Sequence, residues 1–441
     1  MLMNKLFHGL LFLMTWLSTA IGDSKGEMPE TVKWEALIDE MAALEVTAPQ
    51  LDFAVLLQQN HDSKSLLQRS NQLKRAQTLV HNFSATNHCQ NLKLEVFNHV
   101  ITAEKLRIQL AQQQLTHRQQ YQGSIAQLEL GKSWYRYLSM LWLGEAINPD
   151  ELYQIGFNDF QKAIGQYRDL KEKIEQNQLL RSFLSSDEDA VIQQKYKDIE
   201  HQVLRFLETQ FTAQGDWTAL NIARSLQGAD FPAPGYYDSS NQTMYYHPLS
   251  ERYDVSQMEW LYLHEGIPGH HFQSQVNAQS TMCHQLQADG ALSYGRMAFV
   301  EGWAAYVETL GVELGLLKKP HSRLYALKWE ALRAMRVMID VGIHAKAWSD
   351  KTARQHWLQL FPEGEDVMER EINRIKRWPM QVNSYVYGKH RIEQLKLHLK
   401  AKEGDAFDVR LYHQNLLKIS HLPIHVLSQY EQLFKSKESS S

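Results

Sequence analysis

Residues 260–273 read WLYLHEGIPGHHFQ, and the reading of the chain turns on whether this stretch forms an unbroken helix. An apolar helical opening ends in the pair His264-Glu265, with His270 and His271 following. Such a pair, with further histidines one or two turns on, is the raw material of a zinc hydrolase. Neutral imidazoles bind the metal, and the adjacent glutamate, here Glu265, polarises a metal-bound water as general base. The usual spacing is H-E-x-x-H, which puts both histidines on one helix face. Here the second ligand position is occupied by Pro268, which cannot coordinate. On an unbroken helix His270 is rotated ~240° from His264, and His271 lies ~10.5 Å farther along the axis. The motif therefore requires a distortion between the histidines. Pro268-Gly269 supplies it, because proline removes an N–H and clashes with the carbonyl of His264, while glycine tolerates the unusual backbone that follows. A widened turn or kink is expected, with His270 or His271 as second ligand.

A third ligand is offered by residues 298–310, AFVEGWAAYVETL. Glu301 sits there in apolar surroundings, where a carboxylate is costly unless paired or metal-bound. Gly302 and Ala304-Ala305 would let another backbone approach. Two histidines and a glutamate form a catalytic zinc set with one position open, implying one zinc per chain. Glu308, a heptad on, is a candidate outer partner. Residues 333–348, RAMRVMIDVGIHAKAW, place Arg336, Asp340 and His344 four apart on one helix face, either as a buried ion network or as alternative ligands and a substrate wall. Tyr385, in WPMQVNSYVYG after Trp378, could donate its O–H to an oxyanion.

Outside these blocks the chain is ordinary globular material of 441 residues, 44% hydrophobic and 22% charged. Its formal charge of −4 lacks the basic excess of a nucleic-acid binder. Cys89 and Cys283 allow one bridge at most, and the 20 histidines favour an imidazole–carboxylate site over a thiolate one. Residues 1–22, MLMNKLFHGLLFLMTWLSTAIG, have the layout of a cleaved signal peptide: one lysine, an apolar run too short to span a bilayer, then small residues. No cysteine lies near the cleavage point for lipid attachment. The mature protein is expected in a periplasm or outside the cell, with no stable membrane insertion.

Between Pro49 and Pro232 only Pro149 interrupts, which permits long helices. Leu94, Phe97, Ile101, Ile108, Ala111 and Leu115 follow helical spacing, with Glu104 the polar break. A second helical stretch is expected over about 187–211. Residues 228–250 concentrate prolines, glycines and tyrosines, predicting loops and one or two short strands, for instance 243–247; the 236–246 segment could supply an edge strand for an extended peptide. Helical patterning then resumes to about Leu433. The organisation reads as a signal (1–22), a helical amino-terminal region (23–225), a catalytic region (226–434) and a flexible tail (435–441). The fold class is mainly α, a helical scaffold with a small β element beside a zincin-like helix.

HEGIPGHHFQ, VEGWAAY, RAMRVMIDVGIHAKAW and PMQVNSYVYG, in that order, resemble the bacterial family known as domain of unknown function 885, closely over about 230–400. The resemblance implies an exported, mostly helical metallopeptidase. VEGWAAY also resembles the N-E-G-F-A segment of gluzincin peptidases, which puts the third zinc ligand at Glu301. By the same resemblance His264 and His270 are ligands; the resemblance does not decide between His270 and His271 as second ligand, and His270 is the one favoured here. Glu265 is then the general base and Tyr385 the transition-state donor. The block at Pro379 reads P-M-Q where P-G-Q is common. The expected activity is hydrolysis of a peptide or small amide. A non-peptide amide or ester hydrolase, or a non-catalytic helical binding protein, are the alternatives. Neither the oligomeric state nor the bridging of the two cysteines follows from the sequence.

Overall fold

Proline and cap residues set the helix ends. Pro149 occupies the first turn of a helix running to Gln176, and the Asn148 side chain accepts a hydrogen bond from the Asp150 N–H just before it. In the computed structural model, residues 30–44, 51–58, 62–212, 219–228, 233–248, 250–280 and 294–434 are described. The expected signal peptide and carboxyl-terminal tail both lie outside them.

The chain is mainly α, 71% helical with a few small strands. The amino-terminal helices are α1 (Glu30–Ala42), α2 (Phe53–Gln58), α3 (Ser63–Asn82), α4 (His88–His117), α5 (Gly131–Leu143) and α6 (Pro149–Gln176). Strand β1 (Phe183–Ser185) and helix α7 (Asp189–Phe206) lead to β2 (Asn221–Arg224), β3 (Gly235–Asp238), β4 (Thr243–Tyr246) and β5 (Arg252–Asp254). Helices α8 (Met258–Glu265), α9 (His270–Gln279), α10 (Arg296–Glu308) and α11 (Pro320–His344) follow. The chain closes with α12 (Asp350–Leu360), α13 (Glu365–Arg377), α14 (Asn383–Glu403), α15 (Val409–Lys418) and α16 (Tyr430–Phe434).

Helix α4 bears out the periodic apolar pattern in its middle, where Phe97, Ile101 and Ile108 are buried. One detail differs: Leu115 is exposed near the end of the helix. Glu104, the polar break, is buried. Arg69, Arg107 and the Tyr294 hydroxyl all donate to the Glu104 carboxylate, which is how a charge is tolerated there. Cys89 is disulfide-bonded; Cys283, the other cysteine, lies outside the described residues.

The strands form two small sheets. Antiparallel β1–β5 pairs Leu184 with Tyr253. The second sheet has the order β2-β4-β3, with β2 parallel and β3 antiparallel to β4, Tyr236 opposite Tyr245. Strand β4 covers the expected stretch but for His247, and β3 has one edge unpaired among the described residues. Both sheets join strands from before and after residue 225, and α6 packs along α11, so the two expected regions share one core.

Helices α10 and α14 pack backbone against backbone. Gly302 and Gly388 meet at the crossing: a Cβ on Gly302 would lie 2.4 Å from the Gly388 backbone, and one on Gly388 1.8 Å from the Ala298 carbonyl oxygen. The absence of both side chains lets the helices touch, which brings Glu301 on α10 near Tyr385 on α14. No helix among the described residues is long and apolar enough to cross a membrane.

Candidate metal centre

The stretch 260–273 is two helices. Helix α8 stops at Glu265, the Gly266 N–H closing its last turn on the Tyr262 carbonyl, and α9 starts at His270. The four intervening residues contain a cis Ile267–Pro268 peptide. Gly269 packs directly on the end of α8, where a Cβ would lie 2.0 Å from the His264 carbonyl oxygen. The Trp303 indole N–H, from α10, donates to the Pro268 carbonyl and ties the break to the helix that carries Glu301. A full break replaces the expected kink, because proline and two glycines together end the hydrogen-bond ladder rather than bend it.

The break turns His270 back onto His264. Their rings stand 4.8 Å apart in an edge-on arrangement. Glu301 faces both: its Oε2 is 3.6 Å from His264 Nε2 and 3.6 Å from His270 Nε2. That distance is too long for a hydrogen bond, and Glu301 Oε2 is buried with no donor bonded to it. It is close to the ~3.3 Å that separates two ligand atoms around a tetrahedral zinc with bonds of about 2.0–2.1 Å. Glu265 also reaches this point, one of its oxygens and the two imidazole nitrogens all lying within 4.8 Å of one another. Two carboxylates thus converge on the histidine pair. Glu301 Oε2 is equidistant from both Nε2 atoms, and Glu265 lies beside the same pair. The donor set fits a divalent cation of the zinc type.

Outer contacts fix the orientation. His264 donates from Nδ1 to Glu308 Oε1 at 2.7 Å, which leaves Nε2 pointing at the cluster. Arg333 donates to both Glu308 oxygens at 2.6 Å, and its guanidinium lies 5.1 Å over the Tyr385 ring. Trp260 stacks on His264. Burial opposes a charge on His264, but Glu265, Glu301 and Glu308 outweigh it and raise its pKa to about 9. Burial likewise opposes ionisation of Glu301, yet the two histidines hold its carboxyl far below the usual range. Glu308 is held low by Arg333 and His264 against the same burial. The field at the cluster therefore favours a positive charge, whether proton or metal.

A cavity of about 250 Å³ opens on the cluster. His264, Glu265, His270, Glu301 and Tyr385 line it, together with Gly235, Tyr236 and Tyr237 of the edge strand β3. Burial and the nearby Glu301 raise the Tyr385 pKa, so its phenol keeps its proton.

Several expected residues lie elsewhere. His271 is not part of the cluster: one residue further along α9 its side chain is turned by about 100°, and its Nδ1 contacts the Tyr237 hydroxyl at 3.1 Å. Asp340 accepts from Tyr135 Oη, Asn383 Nδ2 and the Met380 N–H, at 2.9, 2.9 and 2.8 Å. His344 lies 3.3 Å from the Ile125 N–H and 3.0 Å from the Ile375 carbonyl. Both serve as internal fasteners rather than ligands. Arg336 does line the cavity, paired with Glu371 at 2.7 Å. Tyr236, from the tyrosine-rich stretch 228–250, also lines it, as do Arg374 and Trp329, which carried no mark in the sequence; they sit in separate segments whose convergence leaves no spacing to read.

A family profile described as bacterial protein of unknown function (DUF885) matches residues 28–430. No curated protein matches the chain. Among solved structures the fold is similar to the crystal structure of the "putative lipoprotein" from Colwellia psychrerythraea. That likeness has a TM-score of 0.63 at 19% identity and covers 93% of this chain and 77% of the other. It is also similar to a "putative lipoprotein of unknown function" from Shewanella oneidensis, with a TM-score of 0.53 at 18% identity, covering 91% and 73%. At such identities the likeness shows a shared fold.

Proposed function

The chain belongs to the DUF885 family, and from that premise and the site's geometry we propose that it is an exported zinc-dependent hydrolase, a peptidase. The carrying observation is Glu301 Oε2, buried without a donor and 3.6 Å from two imidazole nitrogens. A carboxylate left so is costly unless a cation completes it. His264, His270 and Glu301 would hold the ion. Bound there, zinc supplies Lewis acidity, which acidifies water and polarises a carbonyl.

The protein's own groups do the rest. Glu265 takes a proton from water as the water oxygen bonds to the scissile carbonyl carbon. Tyr385 donates its phenolic O–H to the oxygen that becomes negative. Glu265 then gives the proton to the amine nitrogen as the C–N bond breaks, and the remaining hydroxyl proton of the new carboxylic acid passes to the amine, leaving a carboxylate and an ammonium. The outer edge of β3 beside the cavity supports an extended peptide, which adds a strand through main-chain hydrogen bonds. Export is supported by the signal-like residues 1–22.

The purified protein is expected to carry about one zinc per chain by elemental analysis. Glu265→Gln should retain the metal and lose hydrolysis of a peptide mixture. Full activity in a metal-free preparation overturns the reading.

A further inference from the structure

Three arginines reach the cavity that holds the candidate metal cluster, and they are not equally neutralised. Arg333 is matched by Glu308, to which it donates twice. Arg336, 2% exposed, is matched by Glu371 at 2.7 Å, although without hydrogen-bond alignment. Arg374 has no such partner among the described residues. Its Nη2 donates to the amide oxygen of Gln381 at 3.0 Å, and its Nε is buried with no acceptor. Glu371 feels Arg374 but is already shared by Arg336 and Arg370. One carboxylate thus serves three guanidiniums.

Like charges gathered in a half-enclosed space are unfavourable unless an anion joins them. Arg374 and Arg336 repel each other, and burial together with Arg374 works against the charge on Arg336. A guanidinium is a planar fork whose donors match a carboxylate, and a neutral amide uses only part of it. At about 250 Å³ the cavity sits just below the usual range of ligand pockets, ~300–1,000 Å³, so it takes a short piece of substrate.

We propose that Arg374 is the anchor for a substrate carboxylate in the cavity beside His264, His270 and Glu301, so that the enzyme acts on short peptides bearing a carboxylate close to the scissile bond. This rests on the peptidase reading above and narrows it to an end-directed or acid-selecting one. Two sources share this chemistry, the free carboxyl terminus and an acidic side chain. The small cavity favours the terminus, because a chain continuing past the anchor needs further room.

The test uses one acetylated tetra-alanine peptide in three forms: free acid, carboxyl-terminal amide, and the amide with glutamate at the third position. Wild-type kcat/KM should be about 10- to 100-fold higher for the acid than for the plain amide, the gain of a charge-assisted contact. The glutamate-containing amide should resemble the plain amide; if it matches the acid, a side chain is the source. Arg374→Ala should bring the acid-to-amide ratio close to one, and Arg374→Lys should restore part of it. Calorimetric titration of Glu265→Gln with the same peptides separates binding from turnover. Peptides bound with the acid preferred, yet never cleaved by wild type, overturn the peptidase reading and keep the anchor. Equal cleavage of all three forms, or equal binding where none is cleaved, overturns the anchor.

Discussion

The carboxyl-terminal half of α11 and the α8–α9 break both place histidines and carboxylates inside apolar surroundings, and they differ in whether the polar atoms are satisfied. Asp340 receives three hydrogen bonds from groups far apart in sequence, and both nitrogens of His344 meet the backbone. Burial pushes the His344 pKa down, as befits a neutral fastener. At the break, His264 and His270 turn their Nε2 atoms toward a carboxylate oxygen that nothing else bonds. In sequence the two regions look alike, since each shows a histidine and an acid at helical intervals. What separates them is the count of donors and acceptors once the fold is closed. A complete hydrogen-bond set marks structure; an incomplete one aimed at a point marks a site for something else.

The largest expected effect lies at the incomplete set. His264→Ala should lower zinc affinity by about a thousandfold or more, read by competition with a chromogenic chelator, because it removes one of three ligands. An unchanged affinity would place the metal elsewhere and dissolve the contrast. Asp340→Ala should do the reverse: one zinc per chain as in the wild type, but a loss of roughly 3 kcal/mol in denaturant unfolding, since Tyr135, Asn383 and the Met380 N–H lose their acceptor.

A comparable effect is expected from acid, again at a satisfied histidine. His413 donates from Nδ1 to the Gln210 carbonyl, and the Tyr306 hydroxyl, itself bonded by Lys396, faces Nε2. Burial, with Lys396 helping, lowers its pKa to about 4 from an ordinary 6.5. The folded state thus binds fewer protons than the unfolded one between these values. The stabilisation is complete above about pH 6.5 and is lost as pH falls toward 4, at most roughly 3 kcal/mol. Comparing wild type with His413→Gln across that window should show a shallower pH slope in the variant; parallel slopes would contradict it. The smallest effect belongs to Glu308→Gln, which keeps the ligands but removes the anion behind His264. Zinc affinity should fall about 10- to 100-fold, and loss on the scale of His264→Ala would make Glu308 a ligand.

Much of the site is legible in the order of residues. The His264-Glu265 pair, the breaker Pro268-Gly269 and an isolated Glu301 are chemical oddities in apolar sequence, and each needs a reason. Glu308 joins them because helical spacing carries it to the face of Glu301. The choice of His270 over His271 cannot be read from spacing, since it depends on where α9 restarts after the break. Asp340 and His344 mislead for a related reason. Their spacing is true, but Tyr135 and Asn383, which satisfy Asp340, come from 205 and 43 residues away. Arg374 gives no signal, because a guanidinium at a helix end looks the same whether solvent or a cavity lies before it.

From the order of residues alone come the mainly helical class, a strand near 243–247, a distortion between His264 and His270 and the residue types of a metal centre. These are local matters of backbone freedom, periodicity and side-chain chemistry. The tertiary structure alone decides which polar atoms find partners. Gly302 against Gly388 brings α10 onto α14, and three separate segments deliver Tyr236, Trp329 and Arg374 to one cavity. Satisfaction and convergence depend on distances between remote parts of the chain, and those exist only after the core has closed.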